Sequence, residues 1–464
     1  RGIGRNDRVA IVLPNGPEMA SAFVAIACCA TTAPLNPAYL RQEFDFYLAD
    51  LGAKALLVEA GVESLAVDSA VGLDIPVLEI EFDAQDPAGC FTLRGRAGAP
   101  IAAAAGGAAR ADDVALVLHT SGTTSRPKIV PLTQRNVCAS ARNIWATLLL
   151  ERDDSCLNVM PLFHIHGLMA AVLATLRAGA SVSCTPGFNA LRFFAWMQQV
   201  RPTWYTAVPT MHQAILARAP RNQKVVAEAV LRFIRSSSSS LPPQVMRGLE
   251  ETFGVPVVEA YAMTEAAHQM TCNQLPPGTR KAGTVGPAAG PEVAVMDAAD
   301  RLLETGEVGE VVIRGPNVTS GYENNPEANA AGFSNGWFRT GDQGVMDADG
   351  YLTITGRLKE IINRGGEKIS PLEVDVVLMD HPAVLQVVTF AMPHPKLGEE
   401  VAAAVVLRPD QEATEAAIRG FASERLASFK VPRKVLFLEA IPKGPTGKLQ
   451  RIGLAAKLGL GEFD

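Results

Sequence analysis

No stretch of this 464-residue chain reads as a membrane span. The most apolar early run, "MASAFVAIACCATTAPL" (residues 19–35), is built from Ala, Cys and Thr and closed by Pro34. It falls short of the ~20 residues a spanning helix needs, so a buried core helix is expected. No basic segment precedes a signal-type apolar run. An excess of basic charge is also missing. The formal net charge is −6, which argues against a nucleic-acid-binding surface. Cysteine is scarce and odd in number: seven, scattered singly apart from Cys28 and Cys29, with no metal-ligand spacing. Reduced thiols of a cytosolic protein fit that pattern. The C-terminal "GLGEFD" carries no peroxisomal tripeptide, so a cytoplasmic enzyme is expected, with a peroxisomal one as the alternative left open. What remains is ordinary soluble composition, 48% hydrophobic and 19% charged. The length suggests two to four domains at roughly 100–200 residues each.

The first half alternates short β-branched runs with helix-like stretches. "RVAIVL" precedes "PEMASAFVAIACCA", "KALLVEA" precedes "VESLAVDSA", and "VALVLHT" precedes "LTQRNVCASARNIWATLL". Strands alternating with helices imply parallel sheets covered on both faces. "RGRAGAPIAAAAGGAARADD" (residues 94–113) is low-complexity and reads as a loop. From about Gly283 the pattern changes to short antiparallel strands: "EVAVMD", "GEVVIRG", "GVMDADGYLTITG". After Lys359 mixed α/β returns for about 105 residues, a plausible small domain. The expected class is α/β. A large N-terminal domain (1–357) combines parallel-rich sheets with a β-rich subdomain, and a small mobile α+β domain (358–464) follows.

One stretch concentrates hydroxyls: "TSGTTSRPK", residues 120–128. Thr120, Ser121, Thr123, Thr124 and Ser125 supply neutral donors, and Gly122 admits close backbone approach. Arg126 and Lys128 offset negative charge, so the segment suits phosphate oxygens. It lacks the G-x-x-x-x-G-K-[ST] spacing of a Walker loop. A polar turn after a buried strand explains it equally well. Further motifs follow: "PLFHIHGL" (161–168), "YAMTE" (261–265), "WFRTGDQG" (337–344), "GRLKEIINRGGEKISP" (356–371) and "PKGPTGKLQR" (442–451). In this order they resemble the phosphate, acyl, adenine and magnesium, ribose, hinge and lysine motifs of the adenylate-forming superfamily. That superfamily comprises acyl-CoA synthetases, luciferases and peptide-synthetase adenylation domains.

The resemblance implies a reaction of two halves, using ATP, Mg²⁺ and coenzyme A. A carboxylate attacks the α-phosphorus of ATP, and a thiol then displaces AMP. It implies that the Ser/Thr loop with Lys128 holds the β- and γ-phosphates. Glu265 would bind Mg²⁺, Thr264 the α-phosphate, and Tyr261 the adenine ring. Asp342 would take the ribose hydroxyls, with Arg357 a second ribose or phosphate contact. Lys448 would reach the carboxylate and the α-phosphate. Lys359 would be the hinge, and Gly365 and Gly366 would wall the pantetheine tunnel. One residue departs from the pattern: Ile129 stands where glycine is usual, and a β-branched residue there would be strained if φ were positive.

Around the acyl motif the sequence is polar: "RFIRSSSSSLPP" (232–243), His268 three residues after Glu265, and His164 and His166. Hydroxyls and imidazoles are poor company for a hydrocarbon, whereas a second carboxylate would need such partners. The wording "HTSGTTSRPK", "WYTAVPTMHQ" and "EAYAMTEAAH" looks like the oxalate–CoA ligase branch of the superfamily. Ser238, His268 and His164 are the candidate acid contacts, with His164 also counted among the catalytic residues. Arg235 is a further candidate, although a structural ion-pair role is the favoured one for it; His166 stands at even weight. Malonate and 4-coumarate remain alternative acids, and a non-catalytic nucleotide-binding module is a third reading. The expected partners are small molecules only, for a monomer or small homo-oligomer.

Overall fold

The computed structural model describes residues 2–83, 85–95, 106–120, 127–442 and 450–460. The first alternating segments build a sheet of seven strands. These are β1 (Arg8–Val12), β2 (Thr31–Pro34), β3 (Ala55–Glu59), β4 (Val77–Glu81), β5 (Thr92–Gly95), β6 (Val114–Thr120) and β7 (Lys128–Thr133). They lie in the order β5-β4-β3-β1-β2-β6-β7, parallel between β4 and β6 and antiparallel at both edges. Helices α1 (Pro17–Ala27) and α4 (Gln134–Thr147) cover one face. Helices α2 (Arg41–Leu51) and α3 (Leu65–Gly72) cover the other. Along β1, Val9 and Ile11 enter the first core while Ala10 and Val12 enter the second. That period of two, apolar on both sides, is what a doubly covered strand needs.

The run at residues 19–35 is not one core helix. Helix α1 stops at Ala27 and β2 begins at Thr31, because β-branched threonines favour extended backbone and Pro34 cannot donate a helical bond. Thr31 and Thr32 donate their hydroxyls to the carbonyls of Val114 and Ala115 at 2.6 and 2.8 Å. The supposed loop at 94–113 begins inside β5, and its residues 96–105 lie outside the described residues. No described helix is long and apolar enough to cross a membrane.

The second sheet holds β8 (Ser155–Asn158), β9 (Ser181–Cys184), β10 (Trp204–Ala207), β11 (Phe233–Ser237), β12 (Val257–Met263) and β13 (His268–Cys272). Their order is β13-β12-β11-β10-β8-β9, with only β13 antiparallel to its neighbour. A π-helical segment (His166–Leu173) running into α5 (Ala174–Arg177) packs on one face. Helices α6 (Phe193–Val200), α7 (Pro209–Leu216), α8 (Gln223–Ala227) and α9 (Pro243–Phe253) lie on the other side.

The third sheet is antiparallel, as the turn-rich pattern implied: β14 (Glu292–Met296), β15 (Val308–Arg314), β16 (Phe333–Ser334), β17 (Trp337–Met346) and β18 (Leu352–Arg357), with α10 (Pro326–Gly332) before β16. Ile129 sits in β7 opposite His119 and is absent from the residues of positive φ, so its β-branch meets no strain. The fourth sheet contains β19 (Ile362–Arg364), β20 (Glu367–Ile369), β21 (Val384–His394), β22 (Gly398–Leu407) and β23 (Lys434–Phe437). Around it lie α11 (Pro371–Met379), α12 (Glu415–Ser423) and α13 (Leu454–Lys457). It carries its own apolar clusters, one on Ile362, Val374, Val401 and Ile418, another on Phe390 and Ile441.

Candidate active site

In the second sheet, β8 leads to β9 over one face through the π-helix, and the chain returns to β10 over the other through α6. The carboxyl ends of β8 and β10 therefore open a crevice where connections diverge, the usual place for a ligand in an open α/β sheet. His166 begins the π-helix there. Its Nε2 lies 2.7 Å from Thr206 Oγ1 on β10, and its Nδ1 lies 3.0 Å from Ser238 Oγ just beyond β11. The His268 ring packs against it, centroids 5.0 Å apart. Both histidines and Thr206 are fully buried. Gly167 makes the approach possible, since a Cβ there would stand 2.4 Å from the Pro161 carbonyl oxygen.

Two of these positions have backbone that side chains rarely adopt: φ is 76° at Ser238 and 103° at His268. Such conformations persist only where neighbours hold them. Around His268 the holding groups are Ser140, which donates to the Ala267 carbonyl at 2.5 Å, and Thr319, whose N–H meets the Glu265 carbonyl at 2.7 Å.

Arg235 on β11 is fully buried. Nη2 donates to Gln269 Oε1 at 3.2 Å, while Nε and Nη1 have no hydrogen-bond partner among the described residues. Burial pulls its pKa below the ordinary guanidinium value. Among the described residues the structural ion pair expected for Arg235 does not occur; the Gln269 amide oxygen accepts from it instead. Arg235 and Thr206 are register partners on adjacent parallel strands, so their side chains share a face of the sheet.

Glu265 lies in a short turn after β12 and is buried. Tyr322 donates its hydroxyl to Glu265 Oε1 at 2.8 Å, and the Lys128 ammonium stands 4.4 Å from the Tyr322 ring centroid. Burial and the adjacent carboxylate raise the Tyr322 hydroxyl far above its ordinary pKa, so it stays a donor. Sequence reasoning did not single out Tyr322, Thr206 or Gln269; Thr206 lies within the quoted "WYTAVPTMHQ", but nothing there marks it as the residue that meets His166. The third sheet brings Asp342 on β17 opposite Arg357 on β18. Arg357 Nε donates to Asp342 Oδ1 at 2.8 Å and the Tyr261 hydroxyl donates to Oδ2. Burial works against the Arg357 charge, but Asp342 more than offsets it and the pKa rises. Burial and Asp342 likewise raise Tyr261. Each carboxylate oxygen keeps a lone pair, so further hydroxyl donors can still be accepted.

Thr120 ends β6 and Lys128 opens β7 beside it. Ser121, Gly122, Thr123 and Thr124 lie outside the described residues, as does Lys448. Thr264 opens the turn of Glu265. His164 precedes the π-helix, where its Nδ1 accepts the His166 N–H at 3.4 Å. His166, rather than His164, is the imidazole that bonds Ser238. Gly365 and Gly366 form the turn between β19 and β20 with φ of 58° and 100°, and Lys359 is exposed in the link after β18. No group of three metal-ligating side chains occurs among the described residues. A single buried carboxylate such as Glu265 has the donor chemistry for Mg²⁺, which is commonly held by one or two carboxylates plus substrate phosphates.

Sheet, crevice and nucleotide-type residues together define an AMP-binding enzyme. A family model so described matches residues 1–323, and one described as the AMP-binding enzyme C-terminal domain matches residues 373–448. The chain belongs to this family. It is 48% identical to the oxalate–CoA ligase of Arabidopsis thaliana over 97% of this chain and 88% of that protein. It is 44% identical to the oxalate–CoA ligase of Saccharomyces cerevisiae over 96% and 86%. Among solved structures, ATP-bound MatB from Rhodopseudomonas palustris matches with a TM-score of 0.87 at 30% identity, covering 98% of this chain and 89% of that one.

Proposed function

We propose that this protein is an AMP-forming acid–CoA ligase whose acid is oxalate, giving oxalyl-CoA, AMP and pyrophosphate. The observation that carries the choice of acid is the buried polar group around His166. His166 is bound by Thr206 and Ser238 and packed on His268, beside the fully buried Arg235, two of whose donors have no partner among the described residues. A hydrocarbon acid would leave these groups in apolar surroundings, at a cost of a few kcal/mol for each unmet donor. A small dicarboxylate supplies acceptors and the missing negative charge.

In the first half-reaction a carboxylate oxygen of the acid attacks the α-phosphorus, the bond to the β-phosphate oxygen breaks, and pyrophosphate leaves. The Ser/Thr loop with Lys128 steadies the departing phosphates, Thr264 the α-phosphate, and Lys448 the two anions brought together. Tyr261 lies along the adenine, and Asp342 with Arg357 takes the ribose hydroxyls. Glu265, oriented by Tyr322, would hold Mg²⁺, which neutralises phosphate charge. Ser238, His268, His164 and Arg235 hold the far carboxylate, with His166 behind Ser238. In the second half-reaction the CoA sulfur attacks the acyl carbon, the acyl–AMP bond breaks, AMP leaves, and the thiol proton passes to solvent. The segment 358–464 acts as a mobile domain turning at Lys359 between the halves, with Gly365 and Gly366 lining the thiol's approach. Its separate apolar clusters support that division.

The test is CoA-dependent AMP release with ATP and Mg²⁺ across oxalate, malonate, acetate, octanoate and 4-coumarate. Strong preference for oxalate is the expected result. Preference for an apolar acid would keep the ligase and overturn the polar-pocket reading.

A further inference from the structure

Glu259 is an anomaly of the core. It lies on β12, two residues before Tyr261, and is 3% exposed. Other buried carboxylates have cationic or phenolic partners: Asp154 has Arg232, Asp342 has Arg357, Glu400 has Arg364, and Glu265 has Tyr322. Among the described residues Glu259 meets no basic group. Its carboxyl accepts one hydrogen bond, from the Leu241 backbone N–H at 2.7 Å. Burial pushes its pKa up to about 8, so near neutrality it is mainly the uncharged acid. In that form the carbonyl oxygen still accepts.

The group it binds explains its presence. Strand β11 ends at Ser237, and only residues 238–242 separate it from α9. Within that bridge Ser238 has φ of 76°, which a serine holds only under constraint. One end is tied where Ser238 Oγ meets His166 Nδ1 at 3.0 Å. The other end is tied at Leu241 by Glu259. Glu259 and Ser236 are register partners on neighbouring parallel strands, so the carboxyl stands on the α7 and α9 side while Ser238 turns toward His166.

We infer that Glu259 is a positioning residue of the acid site: by accepting the Leu241 N–H it holds the 238–241 turn so that Ser238 faces His166 and the bound acid. This rests on the assignment of Ser238 as an acid contact. It adds to that assignment a residue outside the crevice that sets affinity for the acid and not for ATP.

The experiment compares Glu259→Gln, Glu259→Met and Glu259→Asp with the unmodified protein, measuring KM for the acid, KM for ATP, kcat and Tm. Gln retains an acceptor at the same reach; Met fills the volume without one; Asp retains the carboxyl one methylene short. The Met and Asp variants are expected to raise KM for the acid about tenfold, the weight of one buried hydrogen bond. Their KM for ATP should stay within about twofold, and Gln should match the unmodified enzyme. Equal rises in both KM values, or a Gln variant as impaired as Met, would overturn the inference. Should Met fail to fold, Asp against Gln decides it, and an Asp variant equal to the unmodified enzyme sinks it. The acid used is whichever the unmodified enzyme prefers, so a wrong choice of oxalate appears in that enzyme and a wrong role for Glu259 only in the variants.

Discussion

Arg235 and Tyr322 carry the sharpest consequences at the scale of one residue. A buried cation without an acid partner destabilises the unliganded protein, and replacing such a charge by an apolar side chain is often neutral or stabilising. Arg235→Met is therefore expected to raise Tm by a few degrees while cutting oxalate-dependent AMP release by more than about tenfold, the trade expected of functional strain. A lowered Tm would show that Gln269 alone satisfies the guanidinium. Tyr322→Phe removes the hydroxyl bonded to Glu265 at 2.8 Å. A loss of about 1–3 kcal/mol in stability is expected, together with a higher Mg²⁺ concentration for half-maximal AMP release. Thermal unfolding and a Mg²⁺ titration would check both. The sequence identified Glu265 by its motif but could not find Tyr322, since 57 residues separate them. It weighed His164 above His166 because side-chain direction at the head of a π-helix is set by packing, not by spacing.

At the scale of elements, the turn at 264–268 is the most exposed to change. It carries Glu265 and His268 together, and its left-handed backbone at Ala267 and His268 leans on the Ser140 hydroxyl of α4. Ser140→Ala should lower stability by ~1 kcal/mol and raise KM for acid and ATP together. His268→Ala should raise KM for the acid alone. Steady-state kinetics of the two variants separates the cases, and identical patterns would deny the turn its joint role. The antiparallel meander from Glu292 to Arg357 was legible from its turn residues. Less legible was β2, hidden in an apolar run that alternates neither way; its threonines bond across to β6, a partner more than 80 residues distant.

For the whole molecule, two buried titratable groups bracket the pH of greatest stability. Burial holds His212 at about 4 instead of 6.5. Its contribution is present above 6.5 and lost as pH falls toward 4. Burial raises Glu259 from 4.5 to about 8. Its contribution is present below 4.5 and lost as pH rises toward 8. Tm should peak between about pH 4.5 and 6.5, where neither loss is complete. Glu259→Gln should flatten the alkaline side only, and an unchanged alkaline slope would mean that Glu259 is not buried as an acid. The proposed turning of the segment 358–464 has its own test. Lys448→Ala should abolish adenylation yet leave thioesterification of supplied acyl-adenylate intact, and loss of both halves would refute the division.

From the sequence alone come the α/β class, the order of the motifs, the family, and the residue types that nucleotide chemistry requires. These follow because short motifs keep their meaning within a few residues of chain, where backbone geometry and charge are local. The tertiary structure alone decided which imidazole reaches Ser238, that Arg235 has no acid partner among the described residues, and that Tyr322 bonds Glu265. It also decided that the buried Glu259 carboxyl accepts the Leu241 N–H at one end of the serine turn. Each of these joins residues on separate strands or helices, and their meeting is set by sheet register and by the packing of helices on the two faces.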